Sequence, residues 1–212
     1  KLRFVPVEEG QLDLDALEVA LDGAKLVCVV HTSNVLGVRN PVEKIISMSK
    51  SVGARVLLDA AQAVPHEMFD FKELGADFVA FSAHKMCGPT GIGALLISEN
   101  AFGEMHPFMG GGDMIQTVTL DGSTYQTNEH KFEAGTPRIA EGVGWAAALE
   151  WMSGVDLESH HKRLISIAKD VANQLEEKGM KVYSTLNPRD AAVVSFTHPT
   201  IHPEDFARLL DA

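Results

Sequence analysis

An α/β fold with a mostly parallel, buried sheet is what this sequence of 212 residues predicts. Two observations carry that expectation. Short apolar, β-branched runs alternate with amphipathic segments, and cap residues mark where those segments start and stop. A third is composition: 45% hydrophobic against 22% charged residues gives enough apolar surface for a substantial core.

The elements follow in chain order. "LRFVPV" (2–7) reads as a strand. "LDLDALEVALDG" (12–23) is a helix with Asp13 as N-cap and Gly23 as its stop. "KLVCVVH" (25–31) is a second strand. "NPVEKIISMSKSVG" (40–53) is a helix capped by Asn40, with Pro41 at its first position and Gly53 at its close. "ARVLLDA" (54–60), "ADFVAFS" (76–82) and "GALLIS" (93–98) complete the run of strands. Between 101 and 137 the glycine-rich "FMGGGDM" gives way to "QTVTLDGSTYQT", a protruding hairpin that turns at Asp121-Gly122. A helix from about Ala140 to Trp151 comes next, then a longer amphipathic one across 157–179 and two strand-like pieces, "MKVYS" and "AVVSFTH". The closing "EDFARLLDA" reads as another helix. The expected division is a large domain over 1–153 and the start of a small α+β domain over 154–212.

A formal net charge of −11 argues against nucleic acid as a partner, since phosphate binders cluster Lys and Arg. No apolar run approaches the roughly 20 residues that cross a bilayer, so no membrane partner is expected. The two cysteines, Cys28 and Cys87, form neither a disulfide framework nor a paired zinc spacing, and a reducing compartment fits them. The start, "KLRFVPVEEG", lacks a signal-peptide core and reads as mid-chain sequence.

In open α/β sheets ligands collect at the carboxyl ends of the strands. Three runs end there in polar groups: His31, Thr32, Ser33 and Asn34; Asp59 and, beyond two alanines, Gln62; Ser82, His84 and Lys85. A carboxylate at the edge of an apolar strand calls for a cationic partner. For Asp59 that partner is either Lys85, in a structural ion pair that fastens two strands of a cofactor-free binding module, or a ligand with a protonated ring nitrogen. A desolvated lysine amine is a nucleophile toward aldehydes, the chemistry of a Schiff base. Ser82, His84 and the backbone of the glycine turn "GPTGIG" suit a phosphate. That turn is no nucleotide P-loop, because no Gly-Lys-Ser/Thr ends it, and "GVG" at 142–144 lacks the third glycine of a dinucleotide fingerprint. A phosphate, an aldehyde and a protonated ring nitrogen together describe pyridoxal 5′-phosphate.

Five stretches then resemble a known family. "HTSNVLG", "VLLDAAQAVPH", "FSAHKMCGPTGIG", "GGGDMI" and "KFEAGTP" are similar, in that order, to the class V aminotransferase superfamily of fold-type I pyridoxal-phosphate enzymes, and most closely to its SUF-type cysteine desulfurases. The resemblance implies that Lys85 carries the cofactor aldehyde and shuttles protons, and that Asp59 holds the pyridine nitrogen protonated. It further implies that Gln62 meets the ring's phenolic oxygen, Ser82 and His84 bind the phosphate, and Asn34 sits near the substrate amino acid. Thr136 would reach the phosphate of a neighbouring subunit, hence a homodimer. The implied reaction takes L-cysteine to L-alanine and passes sulfur to an acceptor protein for iron–sulfur cluster assembly, in a cytoplasm or a plastid stroma. Selenocysteine lyase, acting on L-selenocysteine, and other class V aminotransferases share these motifs.

By the same resemblance, the cysteine nucleophile and the arginine that grips the substrate follow Ala212, and a ring-stacking histidine precedes Lys1. The chain therefore reads as an internal fragment, and inactivity of the isolated segment is an expectation to test. Cys87 is not promoted to sulfur acceptor. No metal site is expected: His198 and His202 read as loop residues broken by prolines. His160 and His161 read as a solvated helix face, and Trp145 and Trp151 as packing residues.

Overall fold

The computed structural model describes residues 1–8, 10–68 and 70–211; Glu9, Phe69 and Ala212 lie outside them. A two-residue ladder opens the chain, β1 (Val7–Glu8) against β2 (Gln11–Leu12). The expected strand "LRFVPV" does not join the main sheet. Pro6 has no N–H to give a ladder, Leu2 and Phe4 are exposed, and Val5 packs instead on Leu17, Leu21 and Ile45. α1 (Leu14–Ala20) starts at Asp13, whose carboxylate accepts from the N–H groups of Asp15 and Ala16 at 3.0 and 2.9 Å.

The central sheet comes from β3 (Leu26–Val30), β4 (Arg55–Asp59), β5 (Phe78–Ser82) and β6 (Gly93–Ile97), side by side in that order. β3, β4 and β5 run parallel, with Val30 opposite Asp59 and Asp59 opposite Ala80. β6 is antiparallel to β5, because a parallel return needs a crossover of about a dozen residues or more and the connection spans only 83–92. Between β3 and β4 lies α2 (Val42–Ser51), and between β4 and β5 the single turn α3 (Phe71–Leu74). Asn40 does not cap α2. Its carboxamide donates to Val30 O at 2.8 Å, fastening the helix entry to the strand end, and Pro41 takes the cap position. Val42 and Ile46 of α2 seal against Val56, Leu58 and Val79, all fully or almost fully buried.

After α4 (Glu99–Phe102) the expected hairpin appears as β7 (Ile115–Val118) and β8 (Ser123–Tyr125). A 3-10 turn over Glu129–Phe132 follows, held by a buried lysine. Lys131 Nζ donates to Phe102 O at 2.8 Å and lies 4.0 and 4.7 Å from the ring centroids of Phe102 and Phe132. α5 (Ile139–Ser153) turns Trp145 and Met152 onto Ala83 and Met86 beneath the turn after β5. Its other sides expose Ile139, Val143, Leu149 and Trp151, so Trp151, expected to pack, is largely open.

α6 (Leu157–Glu177) packs Ala168 and Ala172 on Leu186 beside the short ladder of β9 (Lys181–Val182) and β10 (Phe196–Thr197). α7 (Pro203–Leu210) closes the described chain. His202 caps it by accepting from Glu204 N–H, and His198 Nδ1 accepts from Thr200 and Ile201 N–H at 3.1 Å.

Candidate active site

Parallel strands that share a register end on one edge, and here that edge gathers the polar residues. Asp59 is the last residue of β4, opposite Val30, the last of β3. Ser82 ends the neighbouring β5, and Ala83, His84 and Lys85 make a 3-10 turn straight after it. His31 N–H donates to Asp59 O at 2.8 Å and Ala60 N–H to Ala80 O at 2.9 Å, so the three strand ends are laced together.

Asp59 is exposed at this edge, and Oδ1 accepts from Ala61 N–H at 3.0 Å. Asp59 and Lys85 form no ion pair among the described residues, so the structural ion pair weighed from sequence is not made. The reason is local: the carboxylate is turned onto its own chain two residues on, and Lys85 lies in the turn beyond the strand end. Lys85 and Ser82 are half-buried, His84 exposed. Gln62 is half-buried in the turn after β4, and Asn34 is exposed on the loop after β3. Among the described residues the side chains of Asn34, Gln62, Ser82, His84 and Lys85 make no hydrogen bond or ion pair. Thr136 is equally uncommitted but stands apart, exposed on the loop ahead of α5.

The turn behind Lys85 is built for close approach. A Cβ on Gly88 would meet Ala83 O at 2.9 Å and Trp145 Cδ1 at 3.0 Å, and one on Gly93 would meet Phe81 O at 2.7 Å. Gly91 supplies the reversal at φ +80. Trp145, edge-on to Phe81 at 5.9 Å, forms the floor, and its buried indole Nε1 has no partner among the described residues.

A polar network missed from sequence backs the edge. His31 is buried, with Nδ1 3.0 Å from Thr32 Oγ1 and Nε2 3.4 Å from Glu67 Oε1. Desolvation pushes its pKa down, against the pull of Glu67 and with the push of Arg39. Burial thus opposes the charge that the Glu67 carboxylate beside the ring would favour. Arg39 bonds Glu43 at 2.8 Å and reaches Glu67 at 3.4 Å, and its guanidinium lowers the Glu43 pKa. The one cue in the sequence is Glu43, four places after Arg39 and beyond Pro41.

His161 also departs from expectation. Its helix face is covered: the ring sits 6.2 Å from that of His66, and Nε2 lies 3.2 Å from Pro188 O. Burial, then His161 and His160, push the His66 pKa down. Both histidines line a cavity of about 690 Å3 with Glu67, Met152, Leu157 and Arg189. Of the predicted site residues only Gln62 borders it, so this space is beside the strand-end cluster and not its centre.

The strand-end set offers an amine, a carboxylate, an imidazole, a hydroxyl and two carboxamides to something outside the chain. The family described as Aminotransferase class-V matches residues 1–212. A probable cysteine desulfurase of Streptomyces coelicolor is 44% identical over the whole of this chain and 51% of its own length. Among solved structures, the apo cysteine desulfurase of Thermococcus onnurineus NA1 superposes with a TM-score of 0.89 at 40% identity, over all of this chain and 54% of its own. A lysine-to-alanine mutant of C-DES, with glycine covalently linked to its PLP cofactor, superposes at 0.83 with 25% identity over 99% of this chain and 57% of its own. The chain spans about half the length of the curated relatives it matches.

Proposed function

Because this chain belongs to the class-V aminotransferase family, we propose that it carries the cofactor-holding part of a pyridoxal-phosphate-dependent cysteine desulfurase. The observation that supports this most is the set of uncommitted polar side chains at one edge of the parallel strands, with Lys85 in the first turn after β5. Groups that a fold leaves without internal partners are available to a ligand. The donor set fits the cofactor: an amine for its aldehyde, a carboxylate for its ring nitrogen, and a hydroxyl, an imidazole and a glycine turn for its phosphate.

Bound there, pyridoxal phosphate supplies an electron sink that weakens bonds to the α-carbon of an amino acid. Lys85 Nζ would hold the cofactor and, once released from it, carry protons to and from that carbon. Asp59 would keep a proton on the ring nitrogen. Gln62 would orient the ring through its phenolic oxygen, Asn34 would face the amino acid, and Ser82 with His84 would fix the phosphate. L-cysteine would leave as L-alanine, its sulfur passing onward.

The finer reading is a SUF-type enzyme that supplies an acceptor protein for iron–sulfur cluster assembly, and the five ordered motifs support it. A homodimer is supported by the apolar side chains α5 leaves open and by Thr136, exposed ahead of that helix.

The test is optical. Purified full-length protein is expected to be yellow and to lose that band on borohydride treatment, while Lys85→Ala is expected to be colourless. A Lys85→Ala protein that keeps the same reducible band would overturn the assignment of that amine.

A further inference from the structure

The loop between β3 and α2 carries Asn34, and it is held from a distance. Its own bonds close it: Ser33 N–H donates to Val38 O, Gly37 N–H to Ser33 O, and Thr32 pairs with Arg39 in an isolated bridge. Ser33 Oγ accepts from Val35 and Leu36 N–H, leaving Asn34 on the bend. Three further bonds come from the segment ahead of β10. Asp190 Oδ1 accepts from Arg39 N–H at 3.0 Å, Ala191 N–H donates to Gly37 O at 2.7 Å, and Ser195 Oγ donates to Val35 O. The approach is close enough that a Cβ on Gly37, at φ +74, would lie 2.7 Å from Ala191 O.

Asp190 is the centre of this clamp. It is 3% exposed and has no ion pair among the described residues. Its second oxygen accepts from Thr185 Oγ at 2.6 Å and from Asn187 N–H at 2.8 Å. Arg39, whose backbone N–H it accepts, commits its guanidinium to Glu43 and Glu67. A buried carboxylate held only by dipoles is a costly way to join two loops if joining them were all that mattered. Its two oxygens accept from both segments at once, Oδ1 from Arg39 and Oδ2 from Thr185 and Asn187, and so fix their relative position.

We infer that Asp190 is a positioning residue which, by locking the segment 185–195 to the loop 32–39, sets where Asn34 presents its carboxamide to an amino-acid substrate. The role assigned to Asn34 rests on the function proposed above; the clamp itself does not. Disturbing Asp190 should therefore loosen substrate binding while leaving Lys85, on a different strand end, able to hold the cofactor.

Two measurements on the full-length protein test this. Hydrogen exchange on cofactor-free Asp190→Asn and Asp190→Ala should show faster exchange at 33–39, with β4 and β5 unchanged. Steady-state kinetics of the same variants with cofactor should show an unaltered visible band, KM for the amino acid raised by about tenfold, and kcat little changed. Asn34→Ala should raise KM alike, and the double variant no further. Unchanged exchange at 33–39 would refute the clamp. Faster exchange with unchanged KM, or additive effects in the double variant, would refute the positioning role and leave a structural tie. Should Asp190→Ala fail to fold, Asp190→Asn and Thr185→Val, which removes one donor alone, carry the same comparison. A wild-type protein without the visible band would count against the proposed function, while the exchange result would still judge the clamp.

Discussion

At the scale of the residue, Gly88 shows how little room the turn behind Lys85 leaves. An added methyl meets a carbonyl oxygen and an indole carbon at about the shortest separations real Cβ atoms tolerate. Gly88→Ala is expected to destabilise the fold by about 1–3 kcal/mol through overpacking, read as a lower urea midpoint, and to weaken cofactor retention with it. Asp59→Ala leaves that packing alone and removes a carboxylate that is exposed and, among the described residues, bonded only to Ala61 N–H. It should keep near-normal stability, bind cofactor weakly and lose turnover; near-normal turnover would strip Asp59 of its assigned role. Residues such as Asp59, Ser82 and Lys85 could be picked out from sequence because the end of an apolar run is a local boundary. Asp190 could not. Its partner Arg39 lies 151 positions away, and nothing in "NPRDAAV" marks that aspartate as buried.

Elements were legible where capping chemistry is local. Asp13 caps α1 as its spacing demands, and Gly53, at φ +73, ends α2. Asn40 leaves the cap because its side chain finds an acceptor in the neighbouring strand, a tertiary choice no helix rule contains. The leading "LRFVPV" failed as a strand for a similar reason, since Val5 found its apolar partners on α1 and α2 and not in a ladder. His161 is half-buried against expectation because helical periodicity reports which face is polar and not whether another segment lies against it. The turn over Glu129–Phe132 supplies a test at this scale. Lys131 is buried, and its ammonium is satisfied by one carbonyl and two ring faces. Lys131→Ala should free the stretch from 128 to 137, seen as faster amide exchange there while α5 and the central sheet keep their protection. Equal exchange in both proteins would show that the rings hold the turn unaided.

For the molecule as a whole, a buried and a half-buried histidine shape the response to acid. His31 and His66 both have pKa values lowered from the ordinary 6.5, in each case by desolvation first. A lowered pKa means that the unfolded chain takes up protons before the folded one does. The stability these imidazoles contribute is complete above about pH 6.5 and is lost as the pH falls through their folded values. Thermal midpoints should therefore fall on acidification from neutral pH, and a His66→Gln variant should fall less steeply. A flat midpoint over that range would show that neither ring resists protonation. The α/β class is legible at this scale, because apolar runs alternate with amphipathic segments along the chain. The seating of 185–195 on the loop after β3 was not, since it joins distant stretches through single hydrogen bonds.

Trp145 has one more consequence. The chain holds two tryptophans: one lies under the turn that bears Lys85, while Trp151 faces solvent. Ultraviolet excitation of the monomer should therefore yield a blue-shifted emission from the first and a red-shifted one from the second. A yellow chromophore seated on Lys85 would quench the blue component by energy transfer and spare more of the red, giving the protein a built-in gauge of its own loading.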